Sequence, residues 1–248
     1  MDQSEFKTHL SQIPTLWGLV KQAHGDDSAA ARDAKQQLLR RYEKAVKRFL
    51  KAILPHSAEV EDLYQEFALC LVRGDFHRAD PSAGSFRDYV KTVLRHLAAK
   101  YRQSLQKRPD PLPVDSAELP VANSNTEGLD QVFDAEWRTE LLDSAWKALA
   151  EEERHFRTPY YAVLRLRVQN PKVPAPDLAE QLSRETGQPM TAFNFRKILQ
   201  RARHRLAEWL IVEVAHSLTD ATPERVQEEL HDLGLLKYCA SVFRKDEE

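Results

Sequence analysis

Glycine and cysteine are both scarce in this chain of 248 residues, with seven glycines and only two cysteines, Cys70 and Cys239. Two thiols cannot form the disulfide framework of a small secreted domain, and Cys70 falls on an apolar helix face where a free thiol is ordinary. Few glycines in a Leu- and Ala-rich chain with 30% charged residues point to a mostly helical protein. No apolar run approaches the roughly 18–20 residues of a membrane span, and no signal-peptide pattern opens the sequence. The expectation is a soluble intracellular protein. Charge of one sign is lacking too: the net charge is only -2, so any contact with nucleic acid has to come from local clusters of bases. Walker loops, dinucleotide fingerprints, HExxH and CxxC are absent. "DPSAGS" has neither the glycines nor the lysine of a phosphate loop. Neither catalysis, metal nor cofactor is expected.

What is present is helical periodicity broken by proline. The stretch Ala29 to about Leu54 carries apolar residues at Leu38, Leu39, Tyr42, Val46, Phe49, Leu50 and Ile53, a 3.6-residue stripe that Pro55 stops. A second helix starts at Ser57, with Glu59 and Glu61 well placed in its first turn, and ends near Gly74. "DFHRADPSAGS" reads as a loop, after which Ser85 can cap a basic helix over 86–108. Residues 109–128 hold four prolines and no periodicity, the signature of a linker. Helices follow at 129–152 and 155–169. A short helix begins at or near Pro176, a turn falls at Gly187, and a longer helix runs from about Thr191 past Trp209. Thr222-Pro223-Glu224 starts one or two short closing helices. The expected fold is all-α: a helical domain over 1–108, a flexible linker over 109–128, a second helical domain with a helix-turn-helix over 129–218, and a C-terminal helical extension over 219–248.

Three helix faces carry the functional argument. In "VEDLYQEFALCLV", Val60, Leu63, Tyr64, Phe67, Cys70 and Leu71 make the inner stripe, and Asp62, Gln65, Glu66 and Leu69 lie opposite. Asp62 and Glu66 have no further ligands for a metal, because His56 and His77 belong to flanking loops. A leucine ringed by acids and an amide has the make-up of a small protein-binding site, yet on periodicity alone a plain wet surface is the favoured reading. In the 86–108 helix, Val90, Val93, Leu94, Leu97 and Tyr101 form the inner stripe. Thr92, Arg95, His96, Ala99 and Gln103 face away, with Lys91 and Arg102 on the flank. That segment holds seven Lys/Arg and one acid, Asp88, a local excess that points to a polyanion. In the last long helix Phe195, Ile198, Leu199, Ala202, Leu206 and Trp209 separate from Arg196, Lys197, Gln200, Arg203 and His204. A cationic outer face on the second helix of a helix-turn-helix suits a DNA major groove, and a solvated basic face on an ordinary helix pair is the reading equally open.

"LLRRYEKAVKRFLKAIL", "EVEDLYQEFALCLVRG" and "FHRADPSAGSFRDYVKTVLRHLAAKYRQ" together resemble region 2 of a bacterial sigma-70 family factor of the small, extracytoplasmic-function (ECF) type. The resemblance implies that Asp62, Gln65, Glu66 and Leu69 dock on the beta-prime clamp of core RNA polymerase. It implies that Phe76, Asp80, Ser85 and Phe86 trap flipped bases while the -10 element melts, and that Arg87, Lys91, Arg95, His96, Ala99 and Arg102 lie along the -10 DNA. "LAEQL…FNFRKILQRARHRLAEWL" is similar to sigma region 4, which contacts the beta flap and reads the -35 element. There Arg196, Lys197 and Gln200 would read bases or phosphates, and Arg201 and Arg203 would hold the backbone. The turn "SRETGQPMT" is longer than usual for that family. Core RNA polymerase and promoter DNA are the implied partners, an anti-sigma factor is a further candidate, and no cofactor is implied. A helix-turn-helix regulator using only residues 176–210, and an all-helical adaptor, are the competing readings.

Overall fold

The computed structural model describes residues 29–54, 57–73, 86–106, 126–218 and 221–243. Their regular structure is entirely helical: α1 (Ala29–Ile53), α2 (Ser57–Arg73), α3 (Phe86–Gln106), α4 (Thr126–Phe156), α5 (Tyr160–Gln169), α6 (Ala175–Thr186), α7 (Ala192–Ser217), α8 (Pro223–Asp232) and α9 (Leu236–Phe243). The chain divides into two compact units. One takes α1 to α3, α4 as far as Glu140, and the stretch Ala215–Arg225; the other takes Leu141–Val214 and the chain from Val226 onward.

In the first unit, α1 buries Leu38, Tyr42, Ala45, Val46, Phe49, Leu50 and Ile53, spaced three and four apart as one helix face requires. α2 contributes Val60, Leu63, Phe67 and Leu71, and α3 contributes Phe86, Val90, Leu94, Leu97 and Ala98. The expected bounds of α1, α2 and α3 agree with those observed to within one or two residues. α4 completes the core. Phe133 and Trp137, one turn apart, are wholly buried. Trp137 stacks on Tyr42 with ring centres 4.6 Å apart, and Phe133 meets Phe49 edge-on at 6.3 Å. Burying each such side chain contributes on the order of 1.5–3 kcal/mol.

In the second unit one core joins Leu149 of α4, Val163, Leu164 and Leu166 of α5, Leu178, Ala179 and Leu182 of α6, and Phe195, Leu199 and Ala202 of α7. The break between α4 and α5 falls at 157–159, not at the expected 153–154. Pro159 has no N–H to continue a helix and disfavours helical geometry in the residue before it, while Arg157 turns the chain in the left-handed region at φ 55°. Glu153 then bridges the break by accepting the Ala162 N–H at 3.0 Å. α8 and α9 bury Val226, Leu230, Leu235 and Cys239. Gly234, at φ 66°, reverses the chain between them, with the Leu235 N–H reaching the Leu230 carbonyl at 2.7 Å.

Candidate polymerase and nucleic-acid interfaces

The sequence-predicted face of α2 is present as one surface. Asp62 and Gln65 are exposed, Glu66 is half-buried, and Leu69 is 48% exposed while Leu63, Phe67 and Leu71 point inward. Val72, three residues beyond Leu69, is also exposed at 46%, so the apolar centre is a pair and not a lone leucine. That i,i+3 spacing was readable in the sequence. Glu66 accepts from Lys100 of α3 at 2.8 Å, and this bond holds the Lys100 ammonium above its ordinary pKa. Asp62 forms no ion pair among the described residues.

The basic face of α3 differs from the sequence expectation. Phe86 is 1% exposed and packs edge-on against Tyr42 at 5.3 Å, so here it is a core residue and not one offered to a flipped base. Arg87 and Lys91 are also buried, and Val93, expected inside, is only half-buried. The inner stripe therefore turns toward 87, 91 and 98. The cause lies in α4: Arg87 Nη1 donates to Asp134 Oδ1 at 2.6 Å, and Lys91 Nζ donates to the same carboxylate at 3.2 and 3.4 Å. Lys91 also reaches Asp88 at 3.1 Å. Arg95 donates to both oxygens of Asp130. Two cations can leave water here because a carboxylate more than forty residues away meets them, and helical periodicity carries no sign of it. His96 and Ala99 are exposed as expected. Phe76, Asp80 and Ser85, and the side chain of Arg102, lie outside the described residues.

α6 and α7 carry the second basic face. α6 ends at Gly187, left-handed at φ 68°, and Ser183 fastens the connection by accepting the Met190 N–H at 2.8 Å. Thr191 caps α7, its hydroxyl accepting the Asn194 N–H at 3.2 Å. Beyond the cap, Arg196, Lys197, Gln200, Arg201 and Arg203 are all exposed, and none has a carboxylate partner among the described residues. Phe193, 70% exposed in the first turn, and Asn194 beside it share that surface and were missed by the sequence reading. An apolar residue in a wet first turn was the available signal. One turn past this face the character changes. Arg205 donates to Glu152 at 2.8 Å and Glu208 at 2.7 Å, while Trp209 Nε1 donates to Glu152 at 2.7 Å. Burial works against the Arg205 charge, but the bonds to Glu208 and Glu152 outweigh it and raise the pKa. The outward-facing cations of α7 thus stop at Arg203, and those beyond belong to the fold.

Among the described residues no group of three or more His, Cys, Asp or Glu is placed to hold a metal ion, and no helix is long and apolar enough to cross a membrane. Residues 38–108 match the family model of Sigma-70 region 2. The matched segment runs from Leu38 in α1 through α2 and α3 and covers less than a third of the chain. It supports a place in the bacterial sigma-factor family and a DNA-binding role in transcription. No curated protein and no solved structure matches the chain.

Proposed function

We propose that this chain is a sigma factor of the small ECF type, which directs core RNA polymerase in the bacterial cytoplasm to specific promoters and helps open the -10 element. The region 2 match across α1 to α3 carries the reading. In it the α2 face of Asp62, Gln65, Glu66 and Leu69 docks on the beta-prime clamp: an apolar centre, Leu69 with Val72, sits inside an acidic rim, the arrangement of a small interface. α6 and α7 act as a helix-turn-helix for the -35 element, with Arg196, Lys197, Arg201 and Arg203 supplying charge and Gln200 a base-edge contact. The loop residues Phe76, Asp80 and Ser85 and the α3 residues Arg87, Lys91, Arg95, His96, Ala99 and Arg102 engage the -10 element. Polymerase supplies the chemistry, and this subunit supplies promoter choice and strand opening.

Purified chain added to core polymerase is expected to yield a transcript from a defined start site. Reversing both acids, Asp62→Lys with Glu66→Lys, is expected to weaken binding to core by about tenfold or more, since it inverts the charge of the docking face. Unchanged affinity for core, together with tight sequence-specific DNA binding by the free chain, would instead favour a helix-turn-helix regulator that is no polymerase subunit.

A further inference from the structure

The first half of α4 is built to a pattern. Its acids Asp130 and Asp134 stand one turn apart, and so do its aromatics Phe133 and Trp137, giving two adjacent stripes on one side of a helix. The aromatic stripe seats on Tyr42 and Phe49 of α1. The acidic stripe meets Arg87, Lys91 and Arg95, which are themselves spaced four apart along α3. Outside this contact Glu136 reaches Arg48 at 3.5 Å and Glu140 reaches Lys44 at 3.1 Å. Packing alone does not call for such a pattern. Buried ion pairs contribute little net stability, and hydrophobic residues of similar volume would serve a plain core as well or better. Here the buried cations Arg87 and Lys91 converge on Asp134, with Asp88 of α3 as a second carboxylate beside them, and the Arg95 Nε is buried with no acceptor among the described residues.

We propose that the segment Asp130–Trp137 is an internal occupant of the DNA-facing basic stripe of α3, with its carboxylates standing where DNA phosphate oxygens bind in the open state. The inference rests on the sigma-factor reading of α3. Carboxylate and phosphate are interchangeable acceptors for an arginine fork, so the same three side chains serve either partner. The occupant stays tethered: only the 19 residues 107–125 separate α3 from α4, so it competes with DNA as an intramolecular ligand. In this closed state the Arg87, Lys91 and Arg95 side chains are engaged by α4, while His96 and Ala99 on the outer side of α3 stay exposed. Release of Phe133 and Trp137 from α1 returns Arg87, Lys91 and Arg95 to the promoter.

The test uses the full chain. Hydrogen exchange over 126–140 is followed in the wild-type protein alone, then in complex with core polymerase and a duplex that this holoenzyme selects from a randomised pool. The segment is expected to exchange about tenfold faster or more in the complex, as a released helix does. The double variant Asp130→Asn with Asp134→Asn, without core, is expected to bind a duplex of about 20 base pairs about tenfold tighter than wild type, with a salt slope steeper by roughly two to three. Glu136→Gln, whose partner Arg48 lies outside the stripe, is expected to leave that affinity within about twofold. Protection of 126–140 that persists in the complex overturns the proposal, as does a folded double variant that binds no tighter. If the double variant does not fold, the exchange measurement on the wild type decides. A wild-type chain that gives no promoter-specific transcript with core overturns the sigma reading itself. Specific transcription with unchanged exchange overturns only the internal occupant.

Discussion

At the scale of single residues, burial separates the two cysteines. Cys239 is fully enclosed, its thiol 3.9 Å from the Ala207 carbonyl, and burial pushes its pKa up to about 12. Cys70 is only half-buried. In the native protein a thiol-specific alkylating reagent at mildly alkaline pH is expected to modify Cys70 first and Cys239 only on unfolding, as read by mass spectrometry. The sign for stability follows. The neutral thiol is the form the fold accepts, so its contribution is complete below pH 9 and is lost as pH rises toward 12, by at most roughly 1.4 kcal/mol per unit. Cys239→Ala is expected to remove that part of the alkaline decline, and an unchanged alkaline limb in urea titrations would contradict the assignment. On α7 the residues divide by chemistry. Arg196→Ala should weaken DNA binding evenly across sequences and lower the salt slope by about one, while Gln200→Ala should relax the preference at one base pair at a cost of about 1–3 kcal/mol. Affinity measured on a panel of singly substituted duplexes distinguishes the two effects.

At the scale of elements, α1 and α3 show what a sequence can and cannot reveal. The stripe of α1 was legible because apolar side chains at 3.6-residue spacing have only one place to go. The polar side of α3 was not, since whether Arg87 and Lys91 face water depends on a carboxylate that the chain delivers from α4. A charged residue is buried only where a partner meets it, and wheels carry no partners. Periodicity places α4 over 129–152, whereas it is one helix over Thr126–Phe156, because nothing between contradicts helix until Pro159. The α2 face was placed correctly from periodicity, except that Val72 joins Leu69. The segments around Phe76, Asp80 and Ser85 lie outside the described residues. Two element-scale outcomes follow. Trp137→Ala removes the ring stacked on Tyr42 and should cost the first unit about 3–5 kcal/mol, seen as a lower urea midpoint. Truncation after Leu218 removes Val226, Leu230, Leu235 and Cys239, four buried side chains, and should lower the thermal midpoint of the second unit by several degrees. An unshifted transition after truncation would show that α8 and α9 are accessory to that core.

At the scale of the whole molecule, a net charge of -2 says little about DNA binding, because what matters is how many cations are unoccupied. On the faces assigned to DNA the structure separates them. Arg196, Lys197, Arg201 and Arg203 on α7 stand exposed without carboxylate partners among the described residues, whereas Arg87, Lys91 and Arg95 on α3 are already matched by Asp134 and Asp130. Each phosphate neutralised by a cation contributes about -0.9 to the slope of log affinity against log salt. The free chain should therefore bind duplex DNA with a slope of about -3 to -4, the α7 cations alone, and with modest affinity at physiological salt. Recruiting the α3 stripe as well would steepen the slope to about -6. Fluorescence anisotropy titrations at several salt concentrations measure this directly. A slope near -6 for the free wild-type chain would mean that α3 is open to DNA without polymerase, and that the ion pairs to α4 are no barrier. A slope near -3 that steepens on substituting Asp130 and Asp134 would place the control of DNA access in the first half of α4.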